Sequence, residues 1–240
     1  MTTTLKTPAP AFHWKALRDV VILTFMKPSI IKIAGLAAAG ALLVLLPLVV
    51  TSLLRDNGRI SDEAVTEAKD ALGRYLLLHP ETGARSIAVV DYSKPSFMKR
   101  MVLIDLQSGK SSPYRIAHGR NSGELYARAF SNEPESNMTS LGLFRVTRSY
   151  YGDHGLSLRL DGLDSLRNGN AGVRDIVLHS ADYVSIPWII WNFITCNGPR
   201  IGRSNGCFVV ERDEIGQVAG RLRDGGFIYA WPGRPASSKQ

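Results

Sequence analysis

The longest uninterrupted apolar segment of the chain lies near its N-terminus. Residues 33–54 contain no charged side chain over 22 positions, and a helix of that length spans a hydrocarbon core of about 30 Å. The pattern therefore predicts a transmembrane helix. A cleaved signal peptide is the alternative, but its apolar region is usually shorter, and 32 residues precede this segment. We expect an uncleaved anchor.

A helical pattern follows the anchor. Ser61 is a suitable N-cap, and Asp62 and Glu63 complement the helix dipole in the first turn. Apolar residues then recur at helical spacing until Pro80. The helix either packs on the following domain or serves as a spacer from the bilayer. We assign residues 55–84 to a helical stalk.

Beyond residue 85 the pattern changes to short β-like apolar runs separated by turn residues. A hairpin turn is predicted at 107–110, and Asp213 is the expected N-cap of one late helix over 214–223. Many strands with few helices indicate a mainly β (α+β) domain, built as a β-sandwich or a barrel-like sheet. The predicted strands are 86–91, 100–106, 113–117, 143–147, 157–160, 175–178, 207–210 and 227–231.

These patterns divide the chain into five parts. They are a basic flank (1–32), a transmembrane anchor (33–54), the helical stalk (55–84), a globular domain (85–232) and a short tail (233–240).

The distribution of charge sets the expected topology. The net charge is +8, and half of it lies in the flank, which carries five Lys or Arg residues and one Asp. Positive residues beside a transmembrane helix remain cytoplasmic, so everything after the anchor is expected to be exported. Export, together with the lack of a basic stripe interleaved with aromatics, excludes nucleic acid as a partner. The membrane and an anionic polymer outside it remain.

The segment most informative for chemistry is 202–210. Cys207 follows Gly206 at the start of an apolar run, so a turn brings its thiol to a sheet edge, where Gly206 lets backbone N–H groups approach a ligand. His179 ends another apolar run, and two strand ends of one sheet can bring a thiol and an imidazole within proton-transfer reach. A buried inert cysteine and a structural histidine are the alternative interpretation.

The order of these motifs resembles the L,D-transpeptidase catalytic-domain family of murein enzymes. The hallmark of that family is an upstream His followed by S/T-x-G-C, and here His179 precedes Ser204-Asn-Gly206-Cys207. The resemblance covers residues 85–231 and leaves out the anchor and the stalk. Segments similar to one branch of the family also occur upstream, at 117–123, 130–132, 139–144 and 152–157.

The resemblance implies a cysteine L,D-transpeptidase that acts on peptidoglycan stem peptides. The chain would then be anchored in the bacterial inner (cytoplasmic) membrane, with its N-terminus cytoplasmic and its catalytic domain periplasmic. Cys207 would be the nucleophile that forms a thioester, and His179 the base and later the acid. Ser204 would brace the site, while Gly206 and Cys207 would supply the N–H groups of an oxyanion hole. No metal and no organic cofactor is expected.

Three residues are predicted to contact substrate. Many family members carry an arginine shortly after the cysteine, whereas this chain has Phe-Val-Val at 208–210, and we expect Arg203, or alternatively Arg200, to recognise carboxylate instead. His118 and His154 each precede a glycine in family-like segments. Structural hydrogen bonding in a glycine-rich turn is the alternative for both histidines.

Other functions stay open at this point. Water as the acyl acceptor would make the same site an L,D-carboxypeptidase, and the missing arginine is compatible with a catalytically degenerate wall-binding protein of the same fold. A zinc peptidase is a further alternative, since His118, His154, His179 and Asp182 could in principle assemble a zinc site, but the HExxH spacing is absent.

Between His179 and Cys207 lies an apolar insert at 186–200, which contains the second cysteine of the chain. We expect the insert to be packed core, with a lid or a membrane-facing loop as alternatives. Cys196 is expected to be a bystander. The alternative is a disulfide with Cys207 in an oxidising compartment, which would silence the nucleophile.

Overall fold

The computed structural model describes residues 28–233. The prediction for most of the basic flank and for nearly all of the tail therefore falls outside the described residues. The chain divides into two compact units, with the boundary between Leu48 and Val49. One long helix, α1 (Pro28–Arg55), contains a stretch, Lys32–Leu53, that is long and apolar enough to cross a membrane, with a mean hydropathy of 2.6.

The second unit is built around one sheet of eight strands. Three helices accompany it: α2 (Asp62–Leu78), α3 (Ile186–Ile194) and α4 (Ile215–Leu222). The order of the strands across the sheet is β3-β2-β1-β8-β4-β5-β6-β7. The strands are β1 (Ser86–Asp91), β2 (Lys99–Asp105), β3 (Ser111–Arg115), β4 (Gly142–Gly152), β5 (Gly155–Gly162), β6 (Val177–Ser180), β7 (Phe208–Val210) and β8 (Gly226–Trp231).

The two outer strands of this order approach each other, so the sheet nearly closes into a barrel. Ala117, two residues beyond the end of β3, forms an antiparallel bridge with Val209 of β7, and Gly119 forms a parallel bridge with Ser204. Most pairs are antiparallel, but β1–β8 and β6–β7 are parallel. The predicted barrel-like, mainly β domain with few helices is confirmed.

Alternate strand residues fill the interior of the barrel, as the period of two requires. The amphipathic helix α4 closes this interior with Val218, Ala219 and Leu222. The helix begins later than predicted: Asp213 is not the N-cap, because Glu214 occupies that position with helical backbone angles and no side-chain cap.

Helix α2 covers one outer face of the sheet. Ser61 caps it as predicted, since its hydroxyl accepts a hydrogen bond from the Glu63 N–H at 3.2 Å. Its small residues Ala64 and Ala68 are fully buried in a second apolar cluster with β1 and β8. Of the two alternatives for this segment, a packed helix is what the structure shows.

A third apolar cluster covers the outer face beside β7. It joins Val209 and Ala117 with Ile189 of α3 and with Leu53 near the end of α1. Only Ile189 and Asn192 of α3 are buried, and the bulky side chains on its other side are exposed. The prediction that the whole insert is packed core is therefore wrong, because one helix face has no protein against it among the described residues.

Candidate active site at the paired strands β6 and β7

The two residues singled out for chemistry lie at the ends of neighbouring strands. In the parallel pair, Leu178 lies opposite Phe208 and His179 opposite Val209. Leu178 and Phe208 point into the interior core. Since side chains alternate along a strand, His179 and Cys207 both belong to the outer face, separated diagonally by two residues. The register therefore brings the thiol and the imidazole to the same side of two adjacent strands.

The turn before β7 is held by one hydroxyl. Ser204 Oγ donates to the carbonyl of Cys207 at 2.7 Å and accepts from the Gly206 N–H at 3.1 Å. Gly206 adopts φ +123, and an added Cβ would lie 2.8 Å from the carbonyl oxygen of Met138. This position therefore requires glycine. The Gly206 N–H already donates to Ser204 Oγ. Of the two predicted oxyanion donors, only the Cys207 N–H therefore remains.

Cys207 is partly exposed and its thiol is oriented by backbone groups. Sγ lies 3.6 Å from the carbonyl oxygen of Asp175, whose φ of 49 turns the backbone just before β6. Burial raises the pKa of the Cys207 thiol, while the Val177 N–H and the charge of Arg174 act to lower it. Burial has the larger effect, so the thiol is protonated at neutral pH.

His179 is buried and held by its own strand. Its Nδ1 lies 3.1 Å from the carbonyl oxygen of Ser180. A carbonyl only accepts, so Nδ1 carries the proton and Nε2 keeps a lone pair. This carbonyl fixes the orientation of the His179 ring, and no sequence pattern indicates which carbonyl does so. Burial lowers the pKa of His179, and the Ser180 carbonyl only partly opposes this, so the ring is neutral at pH 7.

His154 lies directly over His179. The two rings stack with their centroids 4.3 Å apart and an interplanar angle of 18°. His154 is in the two-residue turn between β4 and β5, and it is exposed to solvent. The tip of this hairpin therefore forms one wall of the candidate site. Of the three residues predicted to contact substrate, His154 is the one that lies against His179.

Arg174 was not anticipated and lies beside Cys207. Its Nη2 donates to the carbonyl of Met138, and Nη1 donates to the Ser131 carbonyl at 2.7 Å. The same Nη2 would be 2.9 Å from a Cβ on Gly206, so the guanidinium packs against the residue before Cys207. Arg174 precedes β6 rather than following the cysteine, and no motif spacing indicates it. Tyr183 is a second unanticipated neighbour, with a pKa raised by burial and by the charge of Cys207.

Arg203 is held by a loop instead of facing the thiol. Its Nη1 donates to the carbonyls of Arg120 and Gly123 and to the carboxylate of Glu124 at 2.6 Å. Arg200 binds the other carboxylate oxygen of Glu124, also at 2.6 Å. Arg203 therefore binds a carboxylate of the protein itself, whereas a carboxylate of the substrate was predicted.

His118 lies in the interior, where substrate does not reach it. The side chain is 0% exposed, with Nδ1 2.7 Å from Nη2 of the fully buried Arg100 and Nε2 3.1 Å from the carbonyl oxygen of Gly123. Burial, together with the charge of Arg100, lowers the pKa of His118 to about 3. The imidazole is therefore a neutral structural link, which corrects its predicted role as a substrate contact.

The described part of the chain offers no alternative centre for metal chemistry. Within residues 28–233 no group of three His, Cys, Asp or Glu side chains is arranged to hold a metal ion. Cys196 and Cys207 are both free thiols, and Cys196 is exposed. A groove of about 330 Å³ lies on the α2 side of the sheet, lined by Tyr75, Arg167 and Tyr229 among others, and contains no residue of the Cys207 site.

Comparison with known protein families agrees with the motif order. A family model described as the L,D-transpeptidase catalytic domain matches residues 59–231. The match covers well over half of the chain, so this protein belongs to the L,D-transpeptidase catalytic-domain family, as predicted. The matched region includes α2. A comparison with curated protein sequences found no match.

Three similar solved structures are distant in sequence. An L,D-transpeptidase from Mycobacterium tuberculosis H37Rv is 11% identical over 62% of this chain and 58% of that one, with a TM-score of 0.37. L,D-transpeptidase 3 from M. tuberculosis, in complex with a faropenem-derived adduct, is 13% identical over 62% and 60%, with a TM-score of 0.35. An L,D-transpeptidase from Xylanimonas cellulosilytica is 14% identical over 67% and 69%, with a TM-score of 0.34. The chain thus spans 58% of the length of the first of these proteins.

Proposed function

We propose that this protein is a membrane-anchored cysteine L,D-transpeptidase that acts on peptidoglycan stem peptides. The observation that carries the proposal is the pairing of β6 with β7, with Cys207 and His179 on one outer face and Nδ1 of His179 bonded to the Ser180 carbonyl. A neutral thiol beside a neutral imidazole whose Nε2 lone pair is available is the starting state for general-base attack.

The first half-reaction forms a thioester on Cys207. Nε2 of His179 takes the thiol proton as Sγ attacks the carbonyl carbon that joins an L-centre to the terminal D-residue of a stem peptide. The tetrahedral intermediate collapses, the C–N bond breaks, and the imidazolium returns the proton to the departing amine. The products are a free D-amino acid and an acyl-enzyme.

The second half-reaction repeats these steps in the opposite direction. The amine of a diamino acid on a neighbouring stem attacks the thioester, and His179 takes its proton. The C–S bond then breaks, and Cys207 recovers its proton from His179. The net change is the exchange of one amide bond for another, so no oxidant, reductant or cofactor takes part.

Two groups are suited to stabilise the charge that develops. The Cys207 N–H is the donor for the oxyanion, because the Gly206 N–H is bonded to Ser204 Oγ. Arg174 supplies a positive charge close to Cys207. Since family members often carry an arginine after the cysteine, Arg174 is positioned to compensate for its absence here, which argues against a catalytically degenerate protein.

The location follows from α1 and its flank. The Lys32–Leu53 helix is the anchor, and the basic flank before it favours a cytoplasmic N-terminus. The catalytic domain is then outside the inner membrane, on the side where peptidoglycan lies. His154, exposed above His179, would contact the donor stem.

The test is turnover by the purified full chain with a stem tetrapeptide as donor and a second muropeptide as acceptor. Liquid chromatography with mass spectrometry should find a cross-linked product and one free terminal D-residue per cross-link. Cys207→Ser should abolish both products, whereas Cys196→Ser, which removes the exposed thiol, should retain them.

Other product patterns distinguish the remaining functions. A shortened stem without any cross-link would identify an L,D-carboxypeptidase at the same site. Binding of muropeptide without release of the D-residue would contradict the enzyme and favour a wall-binding protein.

A further inference from the structure

Helix α3 presents an apolar face to solvent. Ile186, Trp188, Trp191 and Ile194 lie on one side of the helix, and Trp191 is 62% exposed. Soluble domains normally turn such a face inward, as α2 does with Ala64, Ala68 and Leu72. The face is also free of charge, since no Asp, Glu, Lys or Arg occurs between positions 183 and 199.

The opposite side of α3 packs beside the end of the anchor. Ile189 belongs to the same apolar cluster as Leu53, which is the last residue of the membrane-spanning stretch, and Val49 packs against this cluster. In the proposed anchor, Leu53 therefore marks the border between bilayer and water. A helix is about 10 Å wide, so the exposed face of α3 lies within about one helix width of that border.

The segment after the anchor allows no long spacer between bilayer and domain. Asp56 accepts hydrogen bonds from the N–H groups of Gly58 and Lys99. Gly58 packs so closely on Pro113 that a Cβ would lie 2.0 Å from its side chain, and Ile60 is buried. The residues that follow the apolar stretch are therefore packed on the domain rather than forming a free linker.

From these contacts we infer that the exposed face of α3 is embedded in the headgroup and upper acyl-chain region of the bilayer that α1 enters. Trp is enriched at membrane interfaces, and an uncharged helix face carrying Trp and Ile matches that environment. The occupant of the face is lipid rather than a protein partner, because the other side of α3 packs through Ile189 in the cluster that contains Leu53, the last residue of the membrane-spanning stretch.

This docking has a consequence for the site. Cys207 packs against the same cluster as Leu53 and Ile189. The nucleophile is therefore held at a fixed, short height above the bilayer, which restricts it to stem peptides close to the membrane surface. The inference rests on the membrane anchor in the proposed function and not on the identity of the reaction.

The test is depth-sensitive quenching of tryptophan fluorescence in the reconstituted full chain. The chain is inserted into vesicles of phosphatidylethanolamine and phosphatidylglycerol in which part of the lipid is brominated on the acyl chain. Trp14→Phe removes the tryptophan of the flank, and the remaining Trp231 is buried. Brominated lipid should then reduce the emission about twofold, because two of the three remaining tryptophans would lie at the interface. Aqueous iodide should reduce it little.

Two variants serve as controls. Adding Trp188→Phe and Trp191→Phe should remove the quenching by brominated lipid while keeping an apolar face. In that background, Leu166→Trp places a tryptophan at a site that is 87% exposed, and it should be quenched by iodide but not by lipid.

The outcomes separate docking from anchoring. Vesicles that float with the protein but leave Trp188 and Trp191 open to iodide would overturn the docking and leave the anchor intact. Emission protected from both quenchers would overturn it in favour of a protein partner. A full chain that does not float with vesicles would contradict both the anchor and the docking.

Discussion

Two histidines of the same domain, His118 and His179, have opposite environments. Each has one ring nitrogen about 3.1 Å from a backbone carbonyl oxygen. The second nitrogen of His118 meets the buried Arg100, whereas Nε2 of His179 has no hydrogen-bond partner in the described part of the chain. One imidazole therefore has both nitrogens engaged in structure, and the other keeps a lone pair for chemistry. The partner of the second nitrogen, rather than burial alone, distinguishes the two roles.

The strongest test of this comparison replaces each imidazole by an amide. His179→Gln removes the proposed base, so acylation of Cys207 should slow by about 10²–10⁴-fold with little change in thermal stability. His118→Gln should instead lower the free energy of unfolding by about 1–3 kcal/mol, because a flexible amide does not hold an acceptor against Arg100 and a donor against the Gly123 carbonyl as the rigid ring does. Adduct kinetics and thermal denaturation of both variants measure the two effects. Equal losses of activity would contradict the distinction.

The second test moves the Cys207 thiol relative to His179. Gly206→Ala forces a side chain into a φ of +123 and against the Met138 carbonyl, so the turn must shift. A displacement of about 1 Å should slow acylation by about 10²-fold. Gly216→Ala is the matched control, since its Cβ would meet nothing within 4 Å, and its acylation rate should equal that of the unaltered protein.

The third test concerns the charge beside the thiol. Arg174→Gln removes the cation that lowers the Cys207 pKa, so alkylation of Cys207 by iodoacetamide at a fixed pH should slow by about three- to tenfold. The measurement uses a Cys196→Ser background. Arg203→Gln is the control, because its guanidinium binds Glu124, and it should leave the alkylation rate unchanged. The same slowing in both variants would show that the integrity of the loops, and not the charge of Arg174, controls the reactivity of the Cys207 thiol.

The smallest expected effect is on pH dependence. Because the pKa of His179 lies below its usual 6.5, the acylation rate should rise with pH through that lowered value and be level at pH 7. His154 helps to lower this pKa, so His154→Phe, which preserves an aromatic ring over His179, should shift the rise to higher pH. An unchanged profile would exclude any electrostatic effect of His154 on His179.

The strands could be predicted from the sequence because their alternation and turn residues are local. The Cys207 turn and His179 could also be predicted, since the motif specifies both the residue types and their order. The orienting Ser180 carbonyl was not, because every residue has a carbonyl and only the backbone path shows which one meets Nδ1.

Long-range partners explain the other differences. Arg203 and His118 were predicted to contact substrate, but Glu124 and Arg100 engage them, and no pattern in the sequence reveals such pairs. Arg174 reaches Cys207 from the segment before β6 for the same reason. The apolar composition of α3 resembles that of a buried helix, and only the packing shows that Trp188 and Trp191 are exposed.

The central claim is that Cys207 is an acylated nucleophile, and peptide mapping of a trapped adduct tests it most directly. The full chain is incubated with stem tetrapeptide or with faropenem, digested, and analysed by mass spectrometry. We predict one adduct on the peptide that contains Cys207, absent in Cys207→Ser and strongly reduced in His179→Gln. The absence of any adduct, or an adduct on the exposed Cys196 alone, would contradict the account.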